Sequence, residues 1–160
     1  MQTSVEQVFS ARKPPGIAEV VVRATGPAAA PVVWRALVTP ARWPEWAPVR
    51  RAVVPGRQAD AELAEGDEVT FYLLTSIGVR ATVALLEPGE RCDLLASPPG
   101  PWTIALAAGV QPRDGGSAVA LRLRAHGPGA ALLGRAVLLS AVPLLRRCLV
   151  RLVHLTDAQD

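Results

Sequence analysis

The chain has 160 residues, half of them apolar, and a formal charge of +3. A chain of this size buries roughly 70% of its unfolded surface, so one domain with a real core fits and intrinsic disorder does not. The positive charge is carried by arginines scattered from Arg12 to Arg151, with Lys13 the single lysine, and that scatter argues against a nucleic-acid partner. Cys92 and Cys148 are far apart, as are His126 and His154, which excludes a disulfide framework and a spaced metal motif. The heavy use of Ala, Arg, Gly and Pro matches a GC-rich bacterial genome.

Met1–Gly16 is polar and closes on Pro14-Pro15-Gly16, which predicts a flexible leader ahead of a single domain at 17–157. It holds no apolar run of the signal-peptide kind, so a reduced, cytoplasmic protein is expected. Ile17–Ala24 is β-branched and strand-like, and Gly26-Pro27 ends it. Ala28–Val38 reads as a short helix, with Pro31 tolerable only in its first turn. Three prolines, Pro40, Pro44 and Pro48, forbid one helix over the next ten residues. One helical turn at Pro40–Trp46 with Thr39 as N-cap is expected, then extended chain through Val49–Val54.

Further strands are expected at Glu68–Ser76, Val79–Leu86, Arg91–Ala96, Trp102–Val110 and Ala118–His126. Asp114-Gly115-Gly116 is a strong hairpin signal between the last two. In the last strand Val119, Leu121, Leu123 and Ala125 alternate with Arg122, Arg124 and His126, the pattern of a sheet buried on one face and solvated on the other.

Gly127-Pro128-Gly129 ends the sheet, and a helix of about 28 residues, some 40 Å long, follows. Its expected apolar stripe runs through Val137, Ala141, Leu144, Cys148, Leu152 and Leu155, joined by Leu138, Leu145 and Leu149. Arg146, Arg147, Arg151 and His154 fall opposite, and Pro143 predicts a kink. Leu139 and Val150 lie off the stripe, which leaves monomer and homodimer both open. Ala130–Leu145 is too short for a bilayer span and is interrupted by Arg135.

The passage Val33-Trp34-Arg35-Ala36-Leu37-Val38-Thr39-Pro40-Ala41-Arg42-Trp43-Pro44-Glu45-Trp46, then Gly66-Asp67-Glu68-Val69-Thr70-Phe71, then Gly115-Gly116-Ser117-Ala118-Val119-Ala120-Leu121, resembles the SRPBCC (START- and Bet v-like) superfamily. The polyketide cyclase/dehydrase-like branch is the part it resembles most. The resemblance covers about Ile17 to Leu155. It implies an α+β helix-grip fold: a curved antiparallel sheet of about seven strands around one long C-terminal helix, with two short helices after the first strand. It further implies a cavity for an apolar small molecule, either lipid-like or an aromatic polyketide. The alternative it implies is a cyclase, dehydratase or isomerase that works by positioning its substrate. The isolated Cys and His and the lack of a glycine-rich phosphate loop lead us to expect no cofactor or metal.

Reading inward from the last strand, the cavity wall is expected to be Val69, Phe71, Leu73 and Thr75; Val79, Ala81, Val83 and Leu85; Trp102, Ile104, Leu106 and Ala108; and Val119, Leu121 and Leu123. With Trp43 from the short helices and Ala141 and Leu145 from the long one, Phe71, Leu73, Ala81, Val83, Trp102, Ile104, Leu106, Leu121 and Leu123 are the expected ligand contacts. That wall offers no titratable group for acid–base catalysis. A one-residue slip in the strands that are apolar on both faces would instead turn Tyr72, Arg80, Thr82 or Thr103 inward. Tyr72 and Arg80 are therefore the catalytic candidates. Trp34, Trp43 and Trp46 can equally brace the short helices, Trp102 can serve a cavity mouth, His126 reads as an exposed strand end, and Asp67-Glu68 as a solvated turn.

Overall fold

The structure, a computed structural model, describes residues 17–156. The leader at 1–16 and the last residue of the expected domain lie outside the described residues. The elements are β1 (Ala18–Gly26), α1 (Ala30–Val38), a 3-10 turn (Pro40–Arg42), α2 (Trp43–Trp46), β2 (Val49–Val53), β3 (Glu68–Leu73) and β4 (Gly78–Glu87). Then follow β5 (Arg91–Ser97), β6 (Thr103–Arg113), β7 (Gly116–His126), a π-helical turn (Ala130–Gly134) and α3 (Arg135–Val153).

Seven antiparallel strands form one sheet in the order β1-β7-β6-β5-β4-β3-β2, curled into a half-barrel around α3. Short punctuation makes each neighbour antiparallel. Gly89 at φ +79 turns β4 into β5 and Gly115 at φ +77 turns β6 into β7, conformations that L side chains rarely adopt. The two ends of the sheet order, β1 and β2, flank α1 and α2 in sequence, so the short helices bridge the opening of the half-barrel.

The alternation of β7 holds in three dimensions. Val119, Leu123 and Ala125 are buried beneath α3, and β7 pairs with β1 from Ala18 opposite Ala125 to Gly26 opposite Ser117. Its other face is not uniformly solvated, however. Arg124 is 1% exposed, and its Nε donates to the Glu19 carboxylate directly across on β1, with Ala105 its neighbour on β6. Alternation identifies a face but not a cross-strand partner that allows a charge to be buried on it.

Two further departures have local causes. A bulge between Val83 and Leu85 reverses the facing of the end of β4, so Leu86 packs with the core opposite Cys92 while Leu85 stands opposite Asp93. Thr75 lies past the end of β3 in an exposed turn, where Ser76 takes φ +67. Thr39 makes no side-chain cap.

The buried stripe of α3 is Leu138, Cys148, Leu149, Leu152 and Val153, with Val142 and Leu145 half-buried. Val137 and Leu144, expected at the stripe's centre, are 53% and 49% exposed. The helix is apolar on nearly every side through its first half, so spacing alone cannot choose the buried side. It ends at Val153, with His154 closing the last turn onto Arg151, and is shorter than expected. It runs unbroken through Pro143, which is exposed.

α3 approaches the sheet tightly where β1 ends. A Cβ on Gly26 would stand 2.5 Å from the Val153 carbonyl oxygen, and Ala28 N donates to that same oxygen at 2.9 Å. Gly26→Ala is therefore expected to lose about 1–3 kcal/mol through overpacking against backbone that cannot retreat. Urea denaturation reads it, and an unchanged midpoint would mean that the close approach is not sustained in solution.

Candidate functional site

Ala36, Leu37 and Val38 end α1, and their carbonyls have no helical successors because Pro40 has no N–H and the chain bends away. Each finds another donor. Trp46 Nε1 donates to Ala36 O at 3.3 Å, Trp43 Nε1 donates to Leu37 O at 2.9 Å, and Leu63 N donates to Val38 O at 2.7 Å. The proline-broken segment after α1 is thus folded back on it by two indoles. The Trp43 ring then packs edge-on against Phe71 of β3, with centroids 5.7 Å apart and planes at 79°.

Between that corner, the concave sheet and α3 lies an apolar cavity of about 210 Å³. Its wall comes from Leu37, Trp43, Trp46, Ala47, Pro48 and Val49 on one side. Phe71, Leu73, Cys92, Leu94, Leu106, Ala108 and Leu121 come from the sheet, and Leu145, Cys148 and Leu149 from α3. The only side-chain heteroatoms in this set are two indole nitrogens, both already donating to α1, and two thiols. A wall of this kind offers shape and apolar surface, and the thiols, weak donors, carry its only side-chain polar hydrogens not already donated to α1.

Of the expected ligand contacts, Trp43, Phe71, Leu73, Leu106, Leu121 and Leu145 line this cavity. Ala81 and Val83 are buried core residues beside it, Ile104 and Leu123 pack elsewhere between sheet and helix, and Ala141 is half-buried on α3 and off the cavity wall. Trp102 does not reach it. Its Nε1 donates to Pro128 O at 2.8 Å, holding the turn between β7 and the long helix. Trp46, Ala47, Pro48, Val49, Cys92, Leu94, Cys148 and Leu149 were not singled out as contacts. Leu94 had a signal, since it stands opposite Leu106 in an otherwise alternating pair of strands. The residues after α2 had none, because their position depends on the two indole bonds.

Tyr72 and Arg80 are on the outer face. Tyr72 pairs with Gly78 in the sheet, and the Arg51 guanidinium stacks over its ring at 4.4 Å, while Arg80 is exposed. The register with Val69 opposite Ala81 and Phe71 opposite Val79 directs the apolar set inward, so the slipped alternative is excluded. Thr82 and Thr103 are likewise off the cavity wall. His126 is exposed. Asp67 does more than solvate a turn, since its carboxylate accepts from Ala64 N at 2.8 Å and lies 3.5 Å from Arg57.

The outer face of the sheet carries a broader groove between Arg23, Arg91 and Arg122 over Ala107, Gly109 and Ala120. Its best-placed cation is already committed, because Arg91 makes a two-pronged contact with the buried Asp93 at 2.8 and 2.6 Å. Among the described residues no three His, Cys, Asp or Glu side chains come together as a metal site.

Neither cavity thiol is a ready nucleophile. Burial, and then the Asp93 charge, push Cys92 up to about 12, and burial also raises Cys148 against the opposing influence of Arg151.

No family model matches this sequence, and no curated protein does. Its shape, by contrast, recurs among solved structures. Ara h 8.0201 superposes with a TM-score of 0.67 at 14% identity, covering 86% of this chain and 95% of that one. MLL2253 from Mesorhizobium loti gives 0.67 at 18% identity over 89% and 98%. DynU16, from the dynemicin biosynthetic locus, gives 0.57 at 20% identity, covering 88% of this chain and 46% of that one.

Two outcomes test the site's construction. Trp43→Phe strands a buried carbonyl and is expected to cost about 1–3 kcal/mol, whereas Trp46→Phe, with a longer bond and a half-buried ring, costs less; chemical denaturation that ranks them the other way would refute this division of labour. The second concerns pH. The unfolded Cys92 thiol ionises near 9 and the folded one near 12, so the unfolded state holds fewer protons in between. Stability therefore falls as pH rises through that window, by up to about 1.4 kcal/mol per unit. Cys92→Ala should flatten the dependence of the urea midpoint between neutral and strongly alkaline pH. Equal slopes in the two proteins would show that the thiol ionises freely in the fold.

The likeness is one of fold: the chain has a helix-grip architecture, a seven-stranded antiparallel sheet curled around a long C-terminal helix, shared with these solved structures.

Proposed function

We propose that this protein binds one compact apolar molecule, with an aromatic ring system as the best fit, in the cavity between the sheet, the two short helices and α3. The observation that carries the reading is the wall itself: void volume bounded by apolar side chains, two indoles whose N–H groups already donate to α1 and two weakly polar thiols. An apolar cavity of about 150 Å³ holds benzene. At about 210 Å³ this one suits a ligand of roughly one to two rings and is too small for a diacyl lipid or a long polycyclic chain. The ligand contacts would be Trp43, Phe71, Leu106, Leu121 and Leu145.

A second reading is an enzyme that holds a reactive substrate in a near-attack shape and excludes water. The observation in its favour is the structural likeness to DynU16, a protein from a biosynthetic locus. Against it stand the outward-facing Tyr72 and Arg80 and thiols held protonated at neutral pH. Binding is therefore the better-supported function.

Naphthalene, neutral and fluorescent, is the direct probe. It is expected to bind at one site per chain and to lose at least about tenfold in affinity in Ala108→Phe, whose added ring enters the void. Pyrene, with four rings, should not compete. Naphthalene that never saturates, or that binds the filled variant equally well, would refute the cavity as the binding site.

A further inference from the structure

The long helix has an outer face that its inner task does not explain. Leu132 is 82% and Leu133 64% exposed, and Val137, Leu139 and Leu144 are each about half exposed. On α3, residues three or four apart are neighbours, so positions 136, 139 and 143 form one row and 137, 140 and 144 the next, with Leu132 and Leu133 exposed on the π-helical turn just before them. Ser140 is the one polar residue in those rows, and its hydroxyl is turned back to donate to Val137 O at 2.7 Å. Isolated exposed leucines need no explanation, but two contiguous rows of apolar side chains on one helix do.

Beyond residue 144 the same outward face changes character. Arg146, Arg147 and Arg151 are exposed, and Arg135 flanks the apolar rows at their start. From Gly127 to Thr156 there is no aspartate or glutamate. The face is therefore apolar for its first half and cationic for its second, with no acidic group on the helix in reply.

We propose that this outward face docks on an anionic lipid surface, the apolar rows entering the headgroup–acyl boundary and the arginines binding lipid phosphates. Three observations favour lipid over protein. The face is a convex helix ridge without a groove, which fluid lipid can surround but a rigid partner must match. A second copy of the chain would bring like-charged arginines together with no carboxylate on the helix to pair them. Guanidinium groups also bind phosphate in two-pronged fashion, and apolar residues beside a basic cluster are the composition that holds a helix in the interfacial plane. The helix lies on the surface in this mode and does not cross, in keeping with no described helix being long and apolar enough to span a bilayer. This inference does not depend on the cavity's ligand.

Co-sedimentation of the full chain with vesicles tests it, using phosphatidylcholine alone and phosphatidylcholine mixed with phosphatidylglycerol. Binding is expected only with the anionic lipid, weaker as salt is raised. The Arg146→Gln, Arg147→Gln pair should lose roughly fivefold for each arginine removed. The Leu132→Ser, Leu133→Ser pair should lose at least about tenfold while melting like the parent, since both side chains are exposed. Absence of binding to phosphatidylglycerol vesicles overturns the proposal. So does binding that ignores the leucines, which is mere adsorption of a basic protein. Sedimentation showing a dimer that the leucine pair dissociates, with no vesicle binding, also overturns it and assigns the face to a second copy.

Discussion

Two indole N–H groups complete the end of α1, and the cavity exists because they do. The last carbonyls of a helix need donors, and a proline two residues after the helix removes the ordinary one. Trp46 and Trp43 supply the missing bonds to Ala36 and Leu37, which pulls a segment with three prolines into a tight corner. Both indoles are consumed in doing so. What they present to the cavity is therefore their apolar rings, and the corner is at once the brace of the short helices and one wall of the site. Bracing and lining are separate atoms of the same side chains, the N–H serving one and the ring the other.

The void that this corner helps to enclose is expensive. Apolar side chains lining about 210 Å³ of unfilled space forgo the dispersion contacts that a filled core would give them. Ala108, Ala47 and the two cysteines stand where leucine or phenylalanine would close much of it. A chain already half apolar has no shortage of material for filling, so the small residues at these positions favour an occupant over an accident of packing. The apolar chemistry of the wall would then restrict any occupant. A ligand bearing several polar groups would leave them buried without side-chain partners, losing more than its apolar contacts return.

Much of this was legible in the sequence because period and punctuation agreed. β7 alternates without exception on its inner face, so its register could be carried strand by strand to β6 and β3, and Phe71, Leu73, Leu106 and Leu121 emerged as cavity residues. Legibility failed where the local pattern was degenerate or the cause was distant. The first half of the long helix is apolar all round, so Val137 and Leu144 passed for core although they face out. Leu85 changed face through a bulge that no composition marks. Arg124 looked solvated because its partner, Glu19, lies a hundred residues away in sequence and directly opposite in space. Cys92 and Cys148 looked unrelated for the same reason, yet they share one cavity wall.

The misread helix also clarifies what α3 does for the site. With its true stripe at Leu138, Val142, Leu145, Leu149 and Leu152, the side facing the cavity is Leu145, Cys148 and Leu149, one turn from the arginines on the opposite side. The roof of the cavity and the outward cationic patch are thus the two sides of the same two turns. At its C-terminal end this segment is held by the Gly26–Val153 contact, where backbone meets backbone and nothing can slide. At its start it emerges from a π-helical turn, a looser hydrogen-bonding pattern than the α-helix it feeds. That turn is itself packed on the sheet, with Ala130 and Gly134 buried against Ala18 and Ala125, so the helix is held at both ends and the roof residues Leu145, Cys148 and Leu149 lie between the two anchors. The outward leucines at 132 and 133 stand more than about three turns from that roof, whereas Arg146 and Arg147 lie on its reverse side, so the part of the outer face that shares its turns with the cavity is the cationic one.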